Sequence, residues 1–421
     1  MLLRKFIPFV AAVAVTAAAE SPPLQQPEDY QERLVDWIRS GQNGYFHPHV
    51  QWQRLGGNGP YAMHTTVDLP KGTELLTVPR SHVLDSFQTH DECTTVARML
   101  GENKKGEDSF FAPYLSYLFD ETTGGTTTGM LPGAWSEEGQ DLLSGLLAGE
   151  GDPDDGLEPQ SFEQRDVFDV CGKNFRANLA SEEVEDEDER QHAQDAYLYW
   201  VSRSWSDKMV PILDMYNHRN GKSLNVESTS AHDLDSDITA YALRDIKAGE
   251  QLQNTYSECM DHDCTFGEIK YFYNTARIFN DYGFVEFYPR RWPMNAEGQE
   301  DLVAEVNEDL ETGQKSFQWI FETPSQSTLE WMEDQLERLK GIDQDFRKAV
   351  ANHRNSSEAG GRRRHNNIEH EAASLLELFD AYVEVLEMGL KHKVGGVGIT
   401  HEQFEKDLQE ARRSAGFGDE L

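Results

Sequence analysis

Trp200–Glu227 reads WVSRSWSDKMVPILDMYNHRNGKSLNVE, an apolar run that delivers an acid, an amide and an imidazole at close spacing. Met209, Val210, Pro211, Ile212 and Leu213 predict a short buried segment. Asp214, Asn217 and His218 follow within a few residues, and their spacing predicts a single turn that shows all three to one ligand. Arg203 and Trp205 stand just upstream. Alone, each residue has a plain structural explanation: a satisfied loop histidine, an aspartate capping a turn, an arginine paired with one of many acids. Their grouping is what asks for a site.

Three further blocks work outward from this one. Upstream, GGNGPYAMHTTVDLPKGTELLTVPRSHVL contains Gly57, Asn58 and Gly59, where glycines let main chain approach a ligand closely. Downstream come IKAGEQLQNTY, ending in Tyr256, and IFNDYGFVE, which carries Tyr282, Gly283 and Phe284. VPILDMYNH resembles the LVPLxDMxNH signature of SET-domain protein methyltransferases, in the branch typified by the Rubisco large-subunit lysine methyltransferase. The other blocks resemble that branch's GxG, AGExxxxxY and YGF motifs, in the same order. Trp135-Ser136-Glu137-Glu138 resembles an insert of the branch, and Ser202-Arg203 its SR pair. The chain departs from the pattern after Tyr256, where Ser257 replaces the usual glycine and the stretch to Tyr282 is longer.

The resemblance implies an α+β SET fold of short mixed strands with a helical insert, followed by an α-helical substrate-binding-like domain. It places the catalytic domain over 30–291, the insert over about 85–194 and the helical domain over 295–421. It implies S-adenosyl-L-methionine as cofactor and a protein substrate, with lysine as acceptor. Tyr256 would lie nearest the transferring methyl, with Tyr282 closing the pocket and Phe284 close to the cofactor. Gly57, Asn58 and Gly59 would meet the cofactor through main chain, Arg203 would meet its carboxylate, and Asn217 and His218 its amino-acid or adenine portions, supported by Asp214. Trp205 stands where lysine-directed relatives place an aromatic. The same fold without turnover, serving as a peptide-binding module, is the alternative expectation, and an acidic cation buffer is a third.

Methyl transfer to an amine is an in-line displacement that needs alignment and a neutral nucleophile rather than a metal. Burial among aromatic rings disfavours an ammonium, and a phenol can hold the freed amine in line. No metal is expected. Cys259 and Cys264 are the nearest pair among four cysteines, so a bridge there is the first expectation, and they lack the second ligand pair of a zinc site. The DYG tripeptide carries no kinase reading, since no glycine-rich loop or catalytic aspartate loop accompanies it.

The 421 residues hold 75 Asp and Glu against 38 Lys and Arg, a net charge of −37. That field repels phosphates and argues against nucleic acid, while favouring a basic partner. The acids concentrate in Glu182–Glu189 and Gly151–Gly156, which also read as solvated loops. Arg4 and Lys5, an apolar run from Phe6 to Ala19 and small residues before Glu20 have the layout of a signal peptide over 1–19, with an uncleaved anchor or an organelle address as alternatives. The run is short for a membrane span. Gly418-Asp419-Glu420-Leu421 resembles a lumenal retention tetrapeptide without its basic first residue, which predicts residence in the endoplasmic reticulum lumen.

Helical spacing is read over Tyr30–Arg39, strands near Val210, over Asp237–Leu243 and over Gln251–Tyr256, and helices from Glu300 to Phe321 and onward. Ser327-Thr328-Leu329-Glu330 predicts a capping box. Ile368, Ala372, Leu375, Leu376, Phe379, Tyr382, Val383 and Leu386 form one apolar stripe. His353–Asn367 reads as a polar loop, with Asn355-Ser356-Ser357 a glycosylation acceptor in it.

Overall fold

The computed structural model describes residues 27–54, 61–86, 92–119, 130–148, 156–157, 167–168, 170–172, 187–205, 208–229, 236–256, 274–294, 302–309, 312–356, 362–393 and 397–400. Gly57, Asn58 and Gly59, both termini, and Cys259 and Cys264 lie outside them. The elements are α1 (Pro27–Ser40), β1 (Tyr45–Phe46), β2 (Val50–Arg54), β3 (Tyr61–Thr65), β4 (Glu74–Val78), α2 (Glu92–Lys104), α3 (Ala112–Phe119), α4 (Glu137–Leu147) and α5 (Glu187–Arg203). There follow β5 (Ser204–Trp205), β6 (Lys208–Met209), β7 (Asn217–His218), β8 (Val226–Ser228), β9 (Ile238–Ala242), β10 (Gln253–Asn254) and α6 (Thr275–Tyr282). The last are β11 (Arg290–Pro293), β12 (Val303–Glu308), β13 (Lys315–Phe321), α7 (Gln326–Ser356), α8 (Arg362–Lys391) and β14 (Val397–Thr400).

The strands are short and draw on distant sequence. β4 is the hub, antiparallel to β1 on one side and β9 on the other, and β8 closes that sheet. In β9 every second residue is buried, Ile238, Ala240 and Ala242, as expected of a half-covered strand. β2 and β3 form a hairpin, β5 and β6 another, and β7 runs parallel to β10. α1, α2, α3 and α5 pack their apolar faces into the same core through Leu34, Ile38, Met99, Tyr114 and Tyr197.

A second core lies between α7, α8 and the sheet β11–β14, around Trp292, Trp319, Met332, Leu375 and Phe379. The insert contributes to it: Trp135 and Leu143, Leu146 and Leu147 of α4 are buried there, with Ala276 and Phe279 of α6. α4 is held by its N-cap, where Ser136 Oγ accepts from the Gly139 N–H at 3.1 Å. Six of the eight residues of the predicted stripe on α8 are buried, Leu375 at 0 % exposure, while Leu376 and Val383 are half-buried at its edge.

Several readings of this region are corrected. The expected helix over Glu300–Phe321 is the hairpin β12–β13, because Val303, Ala304 and Val306 sit in the core on a strand that pairs along its length. β-branched and aromatic side chains outweighed a weak helical period there. The N-cap of α7 is Ser325, whose Oγ accepts from Thr328 N–H at 3.1 Å, so the box at Ser327 does not form. α7 continues to Ser356 and α8 begins at Arg362, so most of the expected polar loop His353–Asn367 is helical and Asn355 lies in a last helical turn. No helix among the described residues is long and apolar enough to cross a membrane.

Among the described residues a bridge joins Cys93 of α2 to Cys171, 78 residues apart, while the expected pair Cys259 and Cys264 lies outside them. Chain-entropy reasoning says that a link across so long a span removes more freedom from the unfolded chain than a short one. Replacing both cysteines by serine is expected to lower stability by about 2–4 kcal/mol, read from the urea midpoint. An unchanged midpoint would reject the bridge.

Candidate functional site

The apolar run behaves as its composition demands: Met209, Val210, Ile212 and Leu213 are each 2 % exposed or less. At Ile212 the backbone takes φ 70°, ψ −42°, rare for a β-branched residue. Such a conformation costs about 1–3 kcal/mol. Full burial of the isoleucine side chain returns about 1.5–3 kcal/mol, enough to hold it. The consequence is a sharp reversal into a short 3-10 turn, Leu213–Met215, followed at once by strand β7. Asp214 therefore belongs to the turn while Asn217 and His218 belong to a strand, and the expected single helical turn facing one ligand is corrected to two separate environments.

Asp214 points inward. Its Oδ2 accepts from Tyr114 Oη at 2.7 Å and lies 3.6 Å from Arg203 Nη1, which also donates to the Asp214 carbonyl at 3.3 Å. The carboxylate is 1 % exposed and the guanidinium 11 %. Burial raises the Asp214 carboxyl above its ordinary range, against the opposing pull of Arg203 and Tyr114. Burial alone would lower Arg203, but the Asp214 carboxylate and nearby phenols override it and hold the guanidinium above its ordinary value. Tyr114 is pushed well up by burial and by Asp214. Asp214 Oδ1 is buried with no hydrogen-bond partner among the described residues.

His218 is buried and both its ring nitrogens are engaged. Nδ1 accepts from the Tyr256 main-chain N–H at 3.0 Å, so it must carry a lone pair. Nε2 lies 3.2 Å from Glu286 Oε2 and therefore carries the proton. Asn220 Nδ2 donates to the same oxygen at 2.9 Å, and Thr275 Oγ1 donates to Glu286 Oε1 at 2.5 Å. Pairing of Asn217 and His218 with Gln253 and Asn254 brings Tyr256 beside the histidine. The histidine ring thus holds chain segments together, and any ligand meets its face or its main chain rather than its nitrogens.

Around this strand pair the aromatic residues converge. The Tyr256 ring lies tilted against its neighbours, its centroid 4.6 Å from Tyr282 and 5.1 Å from His218, with Phe284 at 6.5 Å from Tyr256 and 6.3 Å from Tyr282. Tyr256 Oη donates to the Tyr216 carbonyl at 3.0 Å, and Tyr282 Oη donates to the Tyr256 carbonyl at 3.4 Å. Burial of the Tyr256 hydroxyl pushes its pKa up to about 12, while the residue as a whole stays partly exposed. Trp205 and Asn217 are half-buried on their strands.

Gly283 makes the convergence of Tyr282 and Phe284 possible. It ends α6 at φ 77°, the left-handed conformation that turns the chain between the two rings. An added Cβ would stand 2.0 Å from the Met130 carbonyl oxygen, so main chain presses on both counts. Gly283→Ala is expected to cost about 2–3 kcal/mol, combining left-handed strain with forced separation of the two segments. Thermal unfolding checks it, and a loss below about 0.5 kcal/mol, the size of an ordinary surface substitution, would contradict this account.

Of the residues singled out in sequence, the structure gathers His218, Tyr256, Tyr282 and Phe284 into one cluster, and sets Arg203 with Asp214 beneath it. Gly57, Asn58 and Gly59 fall outside the described residues. Sequence reading missed Glu286, Asn220 and Tyr114. Glu286 had a visible signal, an acid inside the apolar run Gly283–Phe287, where a charge survives only if partnered. Among the described residues no group of His, Cys, Asp and Glu is arranged to hold a metal ion.

Residues 60–257 match the family model for the SET domain, and this part of the chain is a SET domain. Among solved structures, the chain is similar to the SET domain of LSMT bound to lysine and AdoHcy, at 12% identity over 94% of this chain and 98% of that chain, TM-score 0.46. It is also similar to Rubisco LSMT bound to AdoMet, at 12% identity over 93% and 97%, TM-score 0.45. A third, Rubisco LSMT bound to sinefungin and monomethyllysine, gives 12%, 94% and 98%, TM-score 0.44. No curated protein matches the chain.

Proposed function

We propose that this chain is an S-adenosyl-L-methionine-dependent protein N-methyltransferase that acts on lysine. The observation that carries the reading is the convergence of Tyr282 and Phe284, from just beyond the matched SET region, on Tyr256 and the His218 strand within it. The residues fit the cofactor's chemistry: ring faces attract a cation, and the buried, unpartnered Asp214 Oδ1 offers an acceptor. When bound, S-adenosyl-L-methionine supplies a methyl group on a cationic sulfur. Arg203, Asn217 and Phe284, with the main chain of Gly57, Asn58 and Gly59, are the groups proposed to hold it.

The chain's own part is to desolvate and to aim. Aromatic walls disfavour an ammonium, so a lysine entering between them sheds its proton more readily. Tyr256 cannot take that proton as a phenolate near neutral pH, since its pKa stands at about 12. Its hydroxyl hydrogen goes to the Tyr216 carbonyl, which leaves its oxygen to accept from the neutral amine and hold it in line. Trp205 supports lysine over histidine as acceptor. The charge of −37 favours a basic protein partner.

An oxidising lumen goes with this reading. The Cys93–Cys171 bridge suits such a compartment. Calorimetry with S-adenosyl-L-methionine, followed by mass spectrometry of secretory-pathway proteins from cells with and without the chain, tests the whole. Binding together with lysine methylation lost in the deficient cells is the expected result. Methylhistidine in its place would move the acceptor, and no binding at all would leave a silent peptide-binding SET domain.

A further inference from the structure

Glu286 is 0 % exposed, and nothing in the proposed chemistry uses it. Its two oxygens receive three hydrogens, from His218 Nε2, Asn220 Nδ2 and Thr275 Oγ1. Two of these donors have no choice. Thr275 Oγ1 already accepts from the Arg291 N–H at 2.9 Å, so its own hydrogen goes to Glu286. Asn220 takes the Thr255 hydroxyl on its Oδ1 at 3.1 Å, which leaves its amide N–H for Glu286. Asn220 Nδ2 and His218 Nε2 stand 3.0 Å apart, two N–H groups that would repel unless one strong acceptor faced both. Glu286 Oε2 is that acceptor.

The same carboxylate therefore forces the proton of His218 onto Nε2, and the bare Nδ1 is what the Tyr256 N–H needs. We infer that Glu286 is the positioning residue of the pocket: by setting the tautomer of His218 it fixes the main chain of Tyr256, and so the place of that phenol beside Tyr282. With the other tautomer, Nδ1–H would face the Tyr256 N–H and push the tyrosine away. The turnover part of this inference rests on the methyltransferase reading, and the tautomer part does not.

Long-range proton–nitrogen NMR of the histidine rings in the full chain tests it, with the His218 signals assigned by their loss in His218→Gln. The expected wild-type spectrum has the proton on Nε2. Glu286→Gln keeps an acceptor oxygen in place, so the tautomer persists and turnover stays within about threefold. Glu286→Leu keeps volume but removes the acceptor: His218 shifts towards the Nδ1–H form, and turnover falls about 10–100-fold as Tyr256 is displaced. A wild-type proton on Nδ1 overturns the inference even if Glu286→Leu does not fold. So does a Glu286→Leu protein with the wild-type tautomer and turnover. A wild type that shows the Nε2 proton but transfers no methyl group upholds the positioning role and rejects the enzymatic reading.

Discussion

Tyr256→Phe is expected to lower methyl transfer about 100-fold while S-adenosyl-L-methionine still binds, because the lost oxygen is the one that would hold the incoming amine in line. The cost to the fold is small by comparison. One hydrogen bond to the Tyr216 carbonyl disappears, worth about 0.5–1.5 kcal/mol, and the ring contacts with Tyr282 and His218 stay. Turnover within threefold of wild type would remove Tyr256 from the chemistry. Its protonation gives an independent check. The folded pKa is raised from 10.0 to about 12 by burial, so the preference for the neutral phenol is fully present below pH 10 and is lost as pH rises through about 12. Tyrosinate absorbance should therefore show one phenol, absent from Tyr256→Phe, that titrates late.

Arg203→Met is the second large expectation, and it concerns stability. Removing the guanidinium strands the Asp214 carboxylate at 1 % exposure with the Tyr114 hydroxyl left to donate to it. Breaking a buried pair from one side costs about 3–5 kcal/mol, a large part of an ordinary folding free energy. Asp214 is already raised in the folded chain by burial, and loss of Arg203 raises it further. A raised folded pKa stabilises fully below the unfolded value and less as pH rises, so the Arg203→Met defect should deepen from acidic to neutral pH. Adding Asp214→Leu should restore much of the loss, since an apolar replacement of both partners leaves no stranded charge. Urea midpoints of Arg203→Met, Asp214→Leu and the double variant at two pH values decide it: a double-variant defect equal to the sum of the two single defects would mean that the pair does not couple.

The family blocks were legible because close-packed chemistry needs particular residues at particular offsets, and Asp214, Asn217, His218, Tyr256, Tyr282 and Phe284 all stand in such blocks. Their division of labour was not legible. Nothing in the spacing of Asp214 and His218 says that a strained Ile212 turns one inward to Arg203 and leaves the other on a strand. Tyr114 reaches Asp214 from 100 residues away, a contact that only the packing of α3 against the turn creates. β12 and β13 were misread because their apolar residues fit a weak helical period as well as an alternation, and strand pairing chose between them. The cysteines show another limit: nearness in sequence points to Cys259 and Cys264 and cannot reveal that folding brings Cys93 to Cys171, 78 residues away.

The place of α4 bears on how the protein can be divided. Trp135, Leu143, Leu146 and Leu147 belong by sequence to the segment ahead of β7, yet they are buried with Trp292, Phe379 and Leu375. A fragment trimmed to end after β11 would present those four side chains, with Ala276 and Phe279, as a bare sticky face prone to self-association. Soluble production thus favours keeping α7 and α8, and the rear half of the molecule serves the front half as its chaperone in cis.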